Sequence, residues 1–265
     1  LRCWGDQNST LMLFGSASAS QQIIGDDEHP YENGDINIGA EVLALSAGKQ
    51  NNSEDSHLCA LTSAGNVRCW GNNVKGALGD NSTTDLTGSS LPPPDVNVGK
   101  KVIAVAAFNL GTCVLTNEGK VRCWGASDNG VLGTGVSNDL LDASAAADVP
   151  IGTTATQLSA MYKTACVVTA NHKVRCWGQN SDGQVGVGDD TDLGTSSNPI
   201  STEISDIPLP EDVREVVTGV YHVCGITESA SLLCWGGGGY GKLGGGNTDD
   251  IGDTAGEIAA LTAVD

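Results

Sequence analysis

The sequence predicts an all-β fold: a β-propeller of four-stranded antiparallel blades, with four whole repeats and one split repeat. Three observations predict it. The stretch "HLCALTSAGNVRCWGNNVKGALGDN", residues 57–81, recurs from Gly111, Thr164 and His222, and a remnant, "LRCWG", opens the chain. Each whole copy carries two cysteines ten residues apart. Glycine is abundant, 36 residues in 265, and falls at fixed places in the repeat.

Each repeat begins with a short apolar strand: "EVLALSAG" (41–48), "KVIAVAAF" (101–108), "ATQLSAM" (155–161) and "VREVVTG" (213–219). A fifth such strand, "EIAALTAVD", ends the chain. A hairpin follows. In the first copy Cys59, Leu61, Val67 and Cys69 share one face by period-two alternation. That spacing places a three-residue loop at Ser63-Ala64-Gly65, with Gly65 where a left-handed backbone is wanted. Gly119, His172 and Ala230 hold the same place in the later copies, and alanine there is expected to be strained. A weak fourth strand is expected around "GALG", "GVLG", "GQVG" and "GKLG".

The tryptophans Trp4, Trp70, Trp124, Trp177 and Trp235 anchor the copies. Glycines stand six residues later (Gly76, Gly130, Gly183, Gly241) and nine later (Gly79, Gly133, Gly186, Gly244). One blade cannot cover its own two faces, so near-identical copies must cover each other. The five tryptophans are therefore expected in inter-blade packing. The repeats span about 41–79, 101–133, 155–186 and 213–244 of a single domain, residues 1–265. A split blade joins 1–15 to 258–265.

Eight of the nine cysteines form pairs: Cys59 with Cys69, Cys113 with Cys123, Cys166 with Cys176 and Cys224 with Cys234. In the hairpin register each faces its partner across the strands, within disulfide reach. Zinc sites generally use short paired spacings, absent here. Buried free thiols compete with disulfides, and four identical cross-strand pairs favour disulfides. These imply an oxidising location: secreted or cell-surface, extracellular or periplasmic. Cys3 has no counterpart ten residues upstream and is unpaired in this chain. Strand two of the split blade is missing from both ends. The sequence thus reads as a segment of a longer array, or as a chain that self-associates through its terminal strands.

Acidic residues outnumber basic ones 32 to 13, a net charge of −19. Such a chain repels phosphate backbones, so no nucleic acid is expected as partner. No run of about 18 apolar residues suggests membrane insertion. The acidic residues concentrate in the connections between blades: Asp26, Asp27 and Glu28; Asp80 and Asp85; Asp189, Asp190 and Asp192; Asp249, Asp250 and Asp253. These are the candidate partner-binding residues. They are expected on one rim with the tight hairpin turns, and the insertion at 49–56 on the opposite rim. Calcium is a candidate ligand of such carboxylates, although no known calcium-loop spacing is present, and no other cofactor or metal is expected. The four histidines, His29, His57, His172 and His222, form no catalytic pattern. "GGGGYG" (236–241) lacks the lysine and helix of a phosphate loop. No enzyme is expected.

The pattern H-x-C-A-L-T-x-x-G-x-V-x-C-W-G-x-N-x-x-G-x-L-G resembles the regulator of chromosome condensation repeat. The cysteine-paired version is similar to repeats in secreted bacterial, myxobacterial-type proteins. The resemblance covers nearly the whole chain and implies a propeller, which usually closes with seven blades. It is weak for function, because this scaffold hosts unrelated activities. The founding member is a guanine-nucleotide exchanger on a small GTPase, an alternative reading opposed here by the paired cysteines and the charge. Light-sensing plant members use "GWRHT" motifs, and the matching places here read "DSHLC", "LGTCV", "KTACV" and "YHVCG". Another relative inhibits a β-lactamase through surface loops. The expected function is a non-enzymatic secreted or cell-surface scaffold that binds a protein or surface glycan through acidic rim loops. A calcium-dependent adhesion module is the further alternative.

Overall fold

The computed structural model of the protein describes residue 1 and residues 5–6, 23–24, 35–49 and 56–264. Its regular structure is all β apart from isolated 3-10 turns. Two short strands, β1 (Gly5–Asp6) and β2 (Ile23–Ile24), pair near the start. Four three-stranded antiparallel sheets follow. Blade 1 holds β3 (Val42–Lys49), β4 (Ser56–Thr62) and β5 (Val67–Gly71). Blade 2 holds β6 (Val102–Phe108), β7 (Gly111–Thr116) and β8 (Val121–Gly125). Blade 3 holds β9 (Ala155–Met161), β10 (Thr164–Thr169) and β11 (Val174–Gly178). Blade 4 holds β12 (Val213–Thr218), β13 (His222–Thr227) and β14 (Leu232–Gly236).

The second hairpin of each blade has the register read from the sequence. Cys59 faces Cys69, Cys113 faces Cys123, Cys166 faces Cys176 and Cys224 faces Cys234. Each pair is disulfide-bonded with Cα atoms 4.1 Å apart, the close spacing of a non-hydrogen-bonded pair. The loop position held by Gly65 has φ +74, and His172 and Ala230 adopt the same left-handed backbone at +60 and +67. The innermost strands share a bulge. One extra residue (Leu43, Ile103 or Arg214) separates the paired positions on β3, β6 and β12, and turns outward.

The fourth strand is not where the sequence placed it. "GALG" and its counterparts are tight turns, because Gly76 and Gly79 both take positive φ, +78 and +73, and curl the chain. The outer edge of the third strand is instead touched by single residues further along. Leu86 exchanges two backbone hydrogen bonds with Gly71, at 2.7 and 3.0 Å. Leu140, Leu193 and Ile251 do the same with Gly125, Gly178 and Gly236. Then Val96 N–H donates to the Val67 carbonyl at 2.8 Å, and Val149 and Ile207 do likewise to Val121 and Val174. The fourth strand is thereby reduced to two point contacts per blade.

The C-terminal part of the expected split blade differs from the expectation. The terminal "EIAALTAVD" is not a first strand. Ile258–Ala260 form a 3-10 turn, and Val264 N–H donates to the Leu232 carbonyl at 2.9 Å, the outer-edge contact of blade 4. At the start, Ile36 N–H donates to the Leu1 carbonyl at 2.7 Å and Gly5 pairs with Ile24.

Three buried seams join consecutive blades. The disulfide face of one blade packs on the tryptophan face of the next. Cys59, Leu61, Val67 and Cys69 meet Val102, Val114 and Trp124; equivalent clusters surround Trp177 and Trp235. These tryptophans, and Trp70, are fully buried. An indole buries on the order of 200 Å², a driving force of about 5 kcal/mol at each seam. The innermost strands are also stitched by side chains: the Gln157 amide donates to the Val216 carbonyl and accepts from the Val216 N–H, at 2.8 and 3.1 Å.

Candidate interaction rim

The loops after the third strands carry most of the candidate partner-binding residues. Gly71 pairs with His57, at the start of β4, and Asn72 N–H donates to the Ser56 carbonyl at 2.9 Å. These loops therefore share a rim with the turns between first and second strands, and with Lys49 and Ser56, which flank the insertion. The tight hairpin turns at Gly65 and Gly119 lie on the other rim, beside Val102 and Ala155 of the next blade. That reverses the expected assignment. With the fourth strand shrunk to point contacts, the chain leaves the third strand on the side where the first turn lies. We call this the upper rim.

Many upper-rim carboxylates are used within the protein. Asp85, Asp139, Asp192 and Asp250 each stand fifteen residues after their tryptophan. Each accepts, through Oδ1, the backbone N–H three residues after that tryptophan: Asn73, Ser127, Asn180 and Gly238, at 2.8, 3.1, 2.8 and 2.7 Å. This latch closes a long loop with one charge-assisted hydrogen bond. The other oxygen reaches across a seam in two cases: Lys75 Nζ donates to Asp139 at 2.9 Å, and Asn129 Nδ2 to Asp192 at 2.6 Å. Asp139 escaped sequence reasoning, although its constant distance from Trp124 was the signal.

Asp80 and Asp189 help hold their loops through the buried amides of Asn73 and Asn180. Asp249 accepts from Asn247 Nδ2 at 2.9 Å. Asp253 has its carboxyl pushed up, first by desolvation and then by the nearby charge of Glu257. Asp190 is exposed. Asp26, Asp27, Glu28, Cys3 and Trp4 lie outside the described residues. Among the described residues, no group of three or more acidic, histidine or cysteine side chains could hold a metal ion.

The sequence reading also missed the arginines of "VRC". Arg68 Nε donates to Asp95 at 2.6 Å and its Nη1 to the Ile38 carbonyl, tying its own outer edge to the preceding loop. Arg122 clamps Asp148 and Val98 in the same way, and Arg175 clamps Asp206 and Ile151. His57 is a core residue. Its Nε2 lies 3.1 Å from Thr112 Oγ1, whose hydroxyl donates to the Ala77 carbonyl. Burial lowers its pKa to about 4, with a small opposing effect from the Gly111 backbone. Among the described residues, no carboxylate takes part in this chain of bonds.

Three of the chain's four tyrosines gather on the upper rim of blades 3 and 4. Tyr162 and Tyr221 sit in first-to-second-strand turns and pack edge to face, ring centres 5.5 Å apart. Lys163 Nζ lies 5.5 Å from the Tyr162 ring, and Lys242 Nζ 5.5 Å from the Tyr221 ring. Tyr240, in the glycine-rich loop after β14, is fully exposed.

Comparison with known proteins agrees with this architecture. The profile of the regulator of chromosome condensation (RCC1) repeat matches residues 55–77, 102–131, 156–184 and 213–242. The chain is 31% identical to the ultraviolet-B receptor UVR8 of Arabidopsis thaliana over 237 residues, covering 84% of this chain and 49% of that protein. It is 30% identical to the RCC1 domain-containing protein RUG3, mitochondrial, of the same plant, covering 71% of this chain and 42% of the relative. It therefore spans about half or less of the curated relatives it matches. Human WBSCR16 superposes with a TM-score of 0.72 at 18% identity, over 99% of this chain and 63% of that one. Yeast RCC1 (Prp20), solved bound to Kap60, superposes at 0.67 and 20% identity, over 99% of this chain and 57% of that one. The arrangement of the four sheets is thus that of an RCC1-like propeller.

Proposed function

This chain belongs to the regulator of chromosome condensation repeat family, and on that footing we propose that it is a non-enzymatic scaffold that binds a partner protein through its upper rim. One observation carries the reading. The four copies repeat their seams and differ on the upper rim. Five residues after each tryptophan stand Lys75, Asn129, Asp182 and Tyr240, while the seam residues four positions further on are always glycine. Buried seams have to match one another; a rim that binds something is free to diverge. The four hairpin disulfides, which persist where thiols are oxidised, support a secreted or cell-surface location for it.

The test is site-specific photocrosslinking in the native extracellular or periplasmic fraction. The crosslinker is placed at Asp190 or Asp182 on the upper rim, and at Lys100 or Glu118 beyond the hairpin turns as comparison. Crosslinks to one protein species from the rim positions alone support the scaffold. Equal labelling from both rims, or labelling of glycan only, rejects it.

A further inference from the structure

The blade 4 loop differs from its three counterparts, and packing explains Gly238, where a Cβ would lie against the Asp249 carbonyl, but not the glycines at 239 and 245. Asn73 and Asn180 brace the first and third loops with buried amides, and at that place blade 4 has Gly238. The next position reads Val74, Asp128, Ser181 and then Gly239. A Cβ on Gly239 would meet nothing within 4 Å, and one on Gly245 would meet only Asn247 Oδ1 at 3.9 Å. Neither backbone is left-handed. Sterics do not demand these glycines. They loosen a loop whose one large side chain, Tyr240, stands fully in solvent at φ +63. Tyrosine on a glycine-rich loop is the composition of adaptable binding surfaces, because the ring offers a large contact area at low entropic cost.

The two neighbouring tyrosines indicate what such a ring takes. Each already has an ammonium 5.5 Å from its ring centre. Among the described residues, no cation is recorded over Tyr240. The charge around it favours one from outside. Exposed Asp249 and Asp250 lie against the same loop: Asp250 Oδ1 accepts from Gly238 N–H, and the Asp249 backbone abuts Gly238. The chain as a whole carries −19.

We propose that Tyr240, together with Asp249 and Asp250, which flank Gly238 of the same loop, receives an arginine from a segment of the partner protein. The guanidinium stacks on the free ring while its edge N–H groups meet a carboxylate. Arginine fits better than lysine, because its planar fork can stack and hydrogen-bond together. This rests on the reading of the upper rim as the binding face, and it names the partner's chemistry there.

The probe is a short fluorescein-labelled peptide of alternating glycine and arginine, followed by anisotropy at physiological salt. Tyr240→Leu should weaken binding about three- to fivefold, as expected for an exposed cation–π contact. Tyr240→Phe should bind as the parent does, and a glycine–lysine peptide should bind the parent more weakly. Melting temperatures should be the same for all three proteins, since the ring packs on nothing. Unchanged affinity in Tyr240→Leu would show attraction by diffuse negative charge and overturn the proposal. Equal losses in Tyr240→Phe and Tyr240→Leu would assign the effect to the hydroxyl and overturn it too. The outcome is separable from the scaffold reading. Rim crosslinks to a protein with a Tyr240-indifferent peptide would sink only the arginine, and a Tyr240-dependent peptide without rim crosslinks would sink only the scaffold.

Discussion

The indole N–H of Trp177 donates to the carbonyl of Val131, in the preceding blade, at 2.8 Å. Trp124 does the same to Ala77 and Trp235 to Gln184, at 3.0 and 3.1 Å. Each acceptor lies inside the turn of the G-x-x-G segment, so that turn is the socket for the next blade's tryptophan. The second glycine forms the wall. A Cβ on Gly133, at φ +71, would stand 2.9 Å from Trp177 Nε1 and 2.7 Å from Val149 Cγ1.

Gly133→Ala should therefore destabilise the protein by about 2–4 kcal/mol, combining left-handed strain with overpacking of the seam. Gly135 is a matched control. Its φ is also +71, but a Cβ there would approach nothing closer than 3.3 Å. Gly135→Ala should cost only the backbone strain, about 1–2 kcal/mol. Urea denaturation of both variants gives the comparison. Equal losses would mean that the socket contributes nothing beyond backbone geometry.

The parts of the fold fixed by local rules were legible in the sequence, and the parts fixed between blades were only half legible. Period-two alternation and a ten-residue spacing placed Cys113 opposite Cys123, because a hairpin's register is set by its own turn. The same reasoning foresaw the left-handed backbone at Ala230. The fourth strand failed because a glycine-punctuated apolar run reads alike as a weak strand or a curled turn. Only the indole of the following blade decides between them. The terminal apolar run failed for the same reason: Ile258, Leu261 and Val264 serve an outer edge, and composition does not tell an outer edge from an inner one. On the rim, negative charge was visible but its use was not. Asp192 looks like Asp190 in the sequence, and only the 2.8 Å bond from Asn180 N–H separates them.

That distinction makes a second prediction. Asp192→Ala removes acceptors from Asn180 N–H and Asn129 Nδ2, and should cost about 1–3 kcal/mol. Asp190→Ala, on the same loop, should stay within about 0.5 kcal/mol of the parent. Differential scanning calorimetry measures both. A loss of affinity on neutralising Asp190 alone would report binding, whereas the same loss in Asp192→Ala would be mixed with loosening of the loop. If Asp192→Ala is as stable as the parent, the latch is ornamental.

A third prediction concerns acid. His57 is buried against Gly48 and Phe108, with its pKa lowered from 6.5 to about 4. The folded state prefers the neutral ring, whereas the unfolded chain protonates near 6.5. The stabilisation is therefore fully present above pH about 6.5 and is lost as pH falls toward about 4, an effect of about 3 kcal/mol. Other groups titrate in this range, so the measurement is a difference. Urea midpoints of the parent and of His57→Gln, taken from neutral pH down to about 4, should converge by that amount. A gap that stays constant with pH would show that the histidine does not titrate between the two states.

The last prediction joins the hairpins to the compartment. The Cys113–Cys123 bond closes a loop of ten residues that the hairpin already holds in register. Its benefit through the unfolded chain is thus modest, about 1–3 kcal/mol, and Cys113→Ala with Cys123→Ala should lose that much. Because the pair also lines the seam that surrounds Trp177, part of the loss should come from packing. Dithiothreitol applied to both proteins separates the two contributions: the reduced parent and the reduced double variant share the loss of the other three bonds and differ only by the two sulfurs of this pair, so the stability gap left between them reports packing. The same cysteines report where the protein works. Protein purified without reductant and denatured in a thiol-reactive dye should leave the eight hairpin cysteines unlabelled. Labelling at all eight would place the chain in a reducing compartment and remove the argument for a secreted scaffold.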